Sequence, residues 1–202
     1  MASNVIVTEA NFITPSEPTP NHILRLSTLD SKLFACFIYE YLFIYEPLHG
    51  VDQDAITENV KAALSLALVP YYPLAGKVQV QNESPGLEVE CSGQGILFIR
   101  AAASTCTTSE FDSAPRHIMQ WKRFLSLQVT DVLSGAPPVV MQLTWLHDGG
   151  AALAVGFNHC LIDGTGSAQF LNSSAGLPRW TRARAEADLE PSLIRPNPDR
   201  AS

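Results

Sequence analysis

The stretch Ala151–Asn172, AALAVGFNHCLIDGTGSAQFLN, changes character twice over a short span. An apolar run rich in small residues leads to Asn158, the Asp/Gly composition of a turn follows, and the residues around Phe170 and Leu171 favour a helix. The expected local order is strand, turn, helix. Such an order delivers His159 to the carboxyl end of a rigid strand facing a cleft, a common place for chemistry in mixed α/β architectures.

His159 stands at H-x-x-x-D spacing from Asp163, and no other of the five histidines has an aspartate four residues on. Spacing alone leaves two readings open. In the first, His159 is a hydrogen-bonded residue closing a buried strand, and Asp163 caps the following helix or forms its turn. In the second, the imidazole is a general base, because histidine titrates near neutrality and can take a proton from a hydroxyl or amine attacking a carbonyl. Asp163 then either orients the ring, as in a triad, or holds the turn while pointing away.

Working outward, PVVMQLTWL (Pro138–Leu146) and AALAVGFNH (Ala151–His159) are joined by HDGG, which predicts a hairpin with Val139, Met141, Leu143 and Trp145 on one face. LFACFIYEYLFIYE (Leu33–Glu46) predicts a long buried strand interrupted only by Glu40. In DQDAITENVKAALSLALV (Asp52–Val69), Ile56, Val60, Ala63, Leu64 and Ala67 recur at helical spacing, Asp52 and Asp54 favour the amino end, and Pro70 stops the helix. Strands near Lys77–Gln81, Leu87–Cys91 and Ile96–Ala101 read as a meander, with a short helix after Pro115. An edge strand begins at Val5, and Pro15, Pro18 and Pro20 then forbid regular structure.

Composition narrows the function classes. The 202 residues are 46% hydrophobic and 16% charged, an ordinary globular balance, and the formal charge of -7 argues against nucleic acid as a partner. Cys36, Cys91, Cys106 and Cys160 form no C-x-x-C pair, so neither a metal site nor a disulfide framework is expected, and free thiols fit a reducing compartment. The amino terminus shows no basic leader and no run is long enough to span a membrane, so the expectation is a soluble, cytoplasmic protein. GTGSAQ lacks the third glycine of G-x-G-x-x-G, and neither a Walker lysine nor G-x-S-x-G is present. His22, His49, His117 and His147 read as surface or turn residues. Cys160 reads as a small buried side chain, since neighbours on a strand point to opposite faces and cannot form a Cys-His pair.

Three stretches in order carry a resemblance: PSEPTPNHILRLSTLD (Pro15–Asp30), PYYPLAGKV (Pro70–Val78) and NHCLIDGTGSAQFLN (Asn158–Asn172). Over roughly residues 5 to 176 the sequence resembles the amino-terminal half of the BAHD acyltransferases, which move acyl groups from coenzyme A thioesters to alcohols or amines. The resemblance implies a chloramphenicol-acetyltransferase-like α/β half, a mixed sheet with flanking helices, with the second domain missing. It further implies His159 as the general base, with acyl-CoA as co-substrate and no bound cofactor. Asp163, with Gly164, supports the catalytic turn, the aspartate pairing with an arginine away from substrate. Lys77 departs from the arginine usual in the family's Y-P-L-A-G-R motif, which keeps charge but loses bidentate pairing. The chain has about half the length that fold needs, and the second half's D-F-G-W-G motif is absent. That half normally supplies most coenzyme A contacts and one wall of the channel, so keeping His159 is insufficient for activity.

Two expectations follow. Residues 1–176 form the acyltransferase-like domain, and residues 177–202, which hold five of the nine arginines, form a divergent Arg/Pro-rich tail with little order. A half-fold exposes an apolar face that drives self-association or recruits a protein partner, so the rival to an acyltransferase is a non-catalytic binding or regulatory protein using that face.

Overall fold

The computed structural model describes residues 5–31, 37–47, 50–81, 86–112, 124, 132–174 and 183–184. Strands β1 (Ile6–Ile13), β3 (Ile38–Tyr45), β6 (Ile96–Ala103), β7 (Val139–Leu146), β8 (Ala151–Asn158) and β9 (Ala183–Arg184) form a mixed sheet in the order β1-β6-β7-β8-β3-β9. A smaller sheet holds β2 (Ile23–Arg25), β5 (Leu87–Glu90) and β4 (Lys77–Val80), in the order β2-β5-β4. The helices are α1 (Gln53–Ala67), the single turn α2 (Ser109–Asp112) and α3 (Gly164–Ser173).

α1 forms where the periodicity placed it. Asp52 is its N-cap, with Oδ1 accepting from the amides of Asp54 at 2.9 Å and Ala55 at 3.2 Å. Ile56, Val60, Ala63, Leu64 and Ala67 are all buried. The helix lies against the sheet face formed by Phe98, Met141, Leu153 and Val155, and Trp145 Nε1 donates across that junction to Thr57 Oγ1 at 3.3 Å. Lys61 ties the exposed side of α1 to β1 through Glu9 at 2.6 Å.

The hairpin β7–β8 is the centre of the sheet, and every one of its strand residues is buried. Val139, Met141, Leu143 and Trp145 share the α1 face, as the alternation predicts. Val140, Ala152 and Ala154 join Ile99, Cys106 and Phe124 in a second cluster on the opposite face. Gly149 makes the connecting turn at φ 85°, where a side chain would be strained.

Two expectations change. β3 is half-buried rather than buried, with Glu40 exposed, and its outer neighbour β9 pairs only with Ile44 and Tyr45. The meander breaks after β5: β4 and β5 are a hairpin, but β6 crosses to the large sheet, pairing parallel with β7 and antiparallel with β1. Gly93 and Gly95, both at positive φ, redirect the chain there. At Gly95 an added Cβ would lie 2.4 Å from the Ile13 carbonyl oxygen, so no other residue permits so close an approach.

The Y-P-L-A-G motif has a packing role. Tyr72–Ala75 is a 3-10 turn that buries Leu74 and Ala75, and Gly76 then passes so close to β5 that a Cβ would sit 2.7 Å from the Glu90 carbonyl oxygen. Cys91, Cys106 and Cys160 are buried, while His22 and His147 are exposed. The short helix after Pro115, Cys36, His49, His117 and the expected tail apart from β9 lie outside the described residues. Among the described residues, no helix is long and apolar enough to cross a membrane, and no three His, Cys, Asp or Glu residues cluster as metal ligands would.

Asp148 fastens the hairpin turn to the loop ahead of α2. Its carboxylate accepts from Thr108 N at 2.7 Å, Thr108 Oγ1 at 2.8 Å and Gly150 N at 3.1 Å. Partial burial disfavours its charged form, but these hydrogen bonds outweigh that and hold its pKa below the ordinary aspartate value. A depressed folded-state pKa gives stability that is present above the unfolded-state value and is lost as pH falls through the folded one. Asp148→Ala should therefore cost about 1–2 kcal/mol in urea denaturation at neutral pH, and the difference from wild type should shrink steadily below the ordinary aspartate pKa. A difference independent of pH would mean that the charge is not what stabilises the turn.

Candidate active site

β8 runs in one-to-one register with β7 on one side and β3 on the other, so Phe157 faces both Val139 and Tyr39. The strand ends at Asn158, whose amide donates to the Pro138 carbonyl at 2.8 Å. Asn158 Oδ1 accepts from Cys160 N at 3.2 Å, and its carbonyl accepts from Leu161 N at 3.2 Å. These bonds bend the chain at His159. Asn158 is fully buried, and among the described residues its Nδ2 has no hydrogen-bond partner.

His159 is held by its backbone, its N–H donating to the Phe37 carbonyl at 2.9 Å. Its side chain is partly exposed. The ring stacks on Phe37, with centroids 4.9 Å apart and planes at 27°, and meets the Tyr39 ring edge-on at 5.5 Å and 67°. Among the described residues no hydrogen bond or ion pair engages its ring nitrogens. Cys160 points the other way, buried with Val78, Leu87 and Val132, so it is no partner for the imidazole.

Asp163 is exposed and is the N-cap of α3, its Oδ1 accepting from Gly166 N at 2.7 Å. Of the roles that spacing left open, the geometry shows the cap: its carboxylate meets neither His159 nor any arginine among the described residues. The steric demand of the turn falls on Gly166, where a Cβ would sit 2.8 Å from Ile162 Cγ1. At Gly164 an added Cβ would meet nothing closer than Tyr41 Oη at 3.9 Å, an ordinary contact.

The turn is also tied to β3. Tyr39 Oη donates toward the carbonyls of Asp163 at 2.9 Å and Ile162 at 3.1 Å. Ser167 Oγ donates to the Gly164 carbonyl at 2.9 Å, which leaves Tyr41 Oη to donate to Ser167 Oγ at 3.0 Å. Burial pushes the Tyr39 phenol above its ordinary pKa, so the hydroxyl remains a donor. Phe37, Tyr39 and Tyr41 are absent from the sequence-predicted site. Their signal is the period-two run of aromatics Phe37, Tyr39, Tyr41, Phe43 and Tyr45, one face of one strand. A groove of about 460 Å³ between Thr14–Thr19 and Cys91–Gly93 includes none of these residues.

The family model described as Transferase family matches residues 3–202, so it continues past Gly176, where the motif resemblance stops. Hydroxycinnamoyltransferase 2 of Oryza sativa subsp. japonica is 37% identical over 192 residues, which cover 92% of this chain and 42% of that protein. The hydroxycinnamoyl-CoA:5-hydroxyanthranilate N-hydroxycinnamoyltransferase of Avena sativa is 34% identical over 202 residues, covering 95% and 44%. In fold, the chain is similar to the crystal structure of vinorine synthase, with a TM-score of 0.70 at 24% identity over 85% of this chain and 42% of that one. The chain thus spans less than half the length of the relatives it matches, and its architecture is the α/β half that the motifs imply. By the extent of the family match and the identity to these two enzymes, the chain belongs to the Transferase family, the BAHD acyltransferases.

Proposed function

We propose that this chain carries the general base of an acyl transfer from an acyl-CoA thioester to an alcohol or amine, and that His159 is that base. The observation that carries the reading is a partly exposed imidazole at the end of a fully buried strand, with no described side chain engaging its nitrogens. A free ring nitrogen accepts the acceptor's proton as its oxygen or nitrogen attacks the thioester carbonyl. The C–S bond then breaks, the coenzyme A thiolate leaves, and the imidazolium returns the proton to the thiolate. The names of the two plant relatives make hydroxycinnamoyl-CoA the first donor to test, with an amine among the acceptors. The buried thiol of Cys91, outside any disulfide, supports a reducing location, the cytoplasm.

Positioning and charge stabilisation require both walls of a site. Phe37, 49% exposed beside the imidazole, marks the face that the second wall covers. That wall is part of the proposal, because the chain spans less than half of its relatives.

Asp163 serves the base indirectly by fixing the start of α3, and Gly166 leaves room for it. In the protein with both walls present, incubation with a panel of acyl-CoAs, alcohols and amines, read by thiol release, tests the base: His159→Ala should lower the rate about 10²- to 10⁴-fold, and a variant as fast as an active wild type would refute it. Denaturation tests the cap. Asp163→Ala should cost about 1 kcal/mol and Asp163→Asn only a few tenths, because asparagine caps as well as aspartate. An asparagine variant as unstable as the alanine one would show that the negative charge, not the cap, matters.

A further inference from the structure

We infer that Tyr39 is a positioning residue for the His159 imidazole, acting on the ring and on the turn that follows it. This rests on the reading of His159 as the base. A base must hold one nitrogen toward its substrate, and in a triad a carboxylate does that work. Here the only carboxylate at triad spacing, Asp163, is committed to the amide of Gly166. Orientation is left to packing. Phe37 covers one face of the imidazole and Tyr39 presents its ring to the edge, which leaves little room for rotation about χ2.

Tyr39 differs from Phe37 in being anchored on every side. Phe157 packs on it with centroids 5.9 Å apart, Tyr41 meets it edge-on at 5.7 Å, and its hydroxyl is bonded to the carbonyls of Ile162 and Asp163. One side chain therefore touches the imidazole and also the backbone leading into α3. A shift of that turn moves the Tyr39 hydroxyl, and the ring moves with it. Phe37, half-exposed, covers the imidazole, and among the described residues its side chain has no tie to that turn.

The test uses the full chain. Tyr39→Phe keeps the ring and removes the hydroxyl, so the fold should survive, which matched circular dichroism and melting confirm. The ring carbon–proton NMR resonances of His159, assigned by their loss in His159→Gln, should be displaced by the neighbouring aromatic ring currents in wild type. In Tyr39→Phe they should move toward the values of a freely rotating histidine, and in Phe37→Leu they should lose the stacking displacement. Thiol release in the same proteins should show kcat down about 10-fold in Tyr39→Phe at unchanged KM, as expected of a misaligned base. His159 resonances unmoved by Tyr39→Phe would overturn the inference whatever the activity. Moved resonances alongside His159→Gln turnover equal to wild type would sink the base reading alone and leave the positioning standing.

Discussion

The antiparallel clamp on β8 is the constraint on which the rest of the molecule depends. All eight residues of the strand are buried, and both edges are paired along its length in continuous register. Side chains alternate with period two, so a slip of one residue would turn Leu153, Val155 and Phe157 away from α1 and send Ala152 and Ala154 toward it. The apolar residues of two core clusters therefore set where Asn158 ends the strand. His159 inherits its position from packing in which it takes no part.

Most of that frame was legible in the sequence, because it rests on local signals. The five residues at helical spacing in α1 are all buried, with Thr57 beside them, and Val139, Met141, Leu143 and Trp145 lie on the face that alternation assigned. The predicted meander depended on a global choice that local patterning does not encode. β5 and β6 both read as strands, and which sheet each joins is decided by two glycines at positive φ and by the pairing of β6 with β1 from the start of the chain. The burial of β3 was misjudged for a similar reason. Aromatic and β-branched density marks a strand, but the completeness of its pairing depends on a strand far along the chain.

The site itself was half legible. The change from apolar run to Asp/Gly turn located His159, and the cap was among the roles that spacing allowed Asp163. The contribution of β3 was hidden, since Tyr39 lies 124 residues before the carbonyl it meets at Asp163, and no local pattern reports a contact of that range. Once β3 and β8 are known to be neighbours, the alternation of Phe37, Tyr39 and Tyr41 puts the three rings on one face beside the strand end. A pairing register thus converts an aromatic run into a wall.

The division between Asp163 and the aromatic rings has a chemical consequence for the proposed reaction. A carboxylate against the imidazole would favour its protonated form, and it would also bring a negative charge near the place where an attacked thioester carbonyl becomes an oxyanion. At the amino end of α3 the same carboxylate accepts from the amide of Gly166, at a helix terminus that favours negative charge. The geometry therefore secures the turn with a cap whose carboxylate meets the amide of Gly166 rather than His159. Uncharged contacts, a stacked phenyl and an anchored phenol, are left to orient the ring. Such contacts fix direction without adding to the local field.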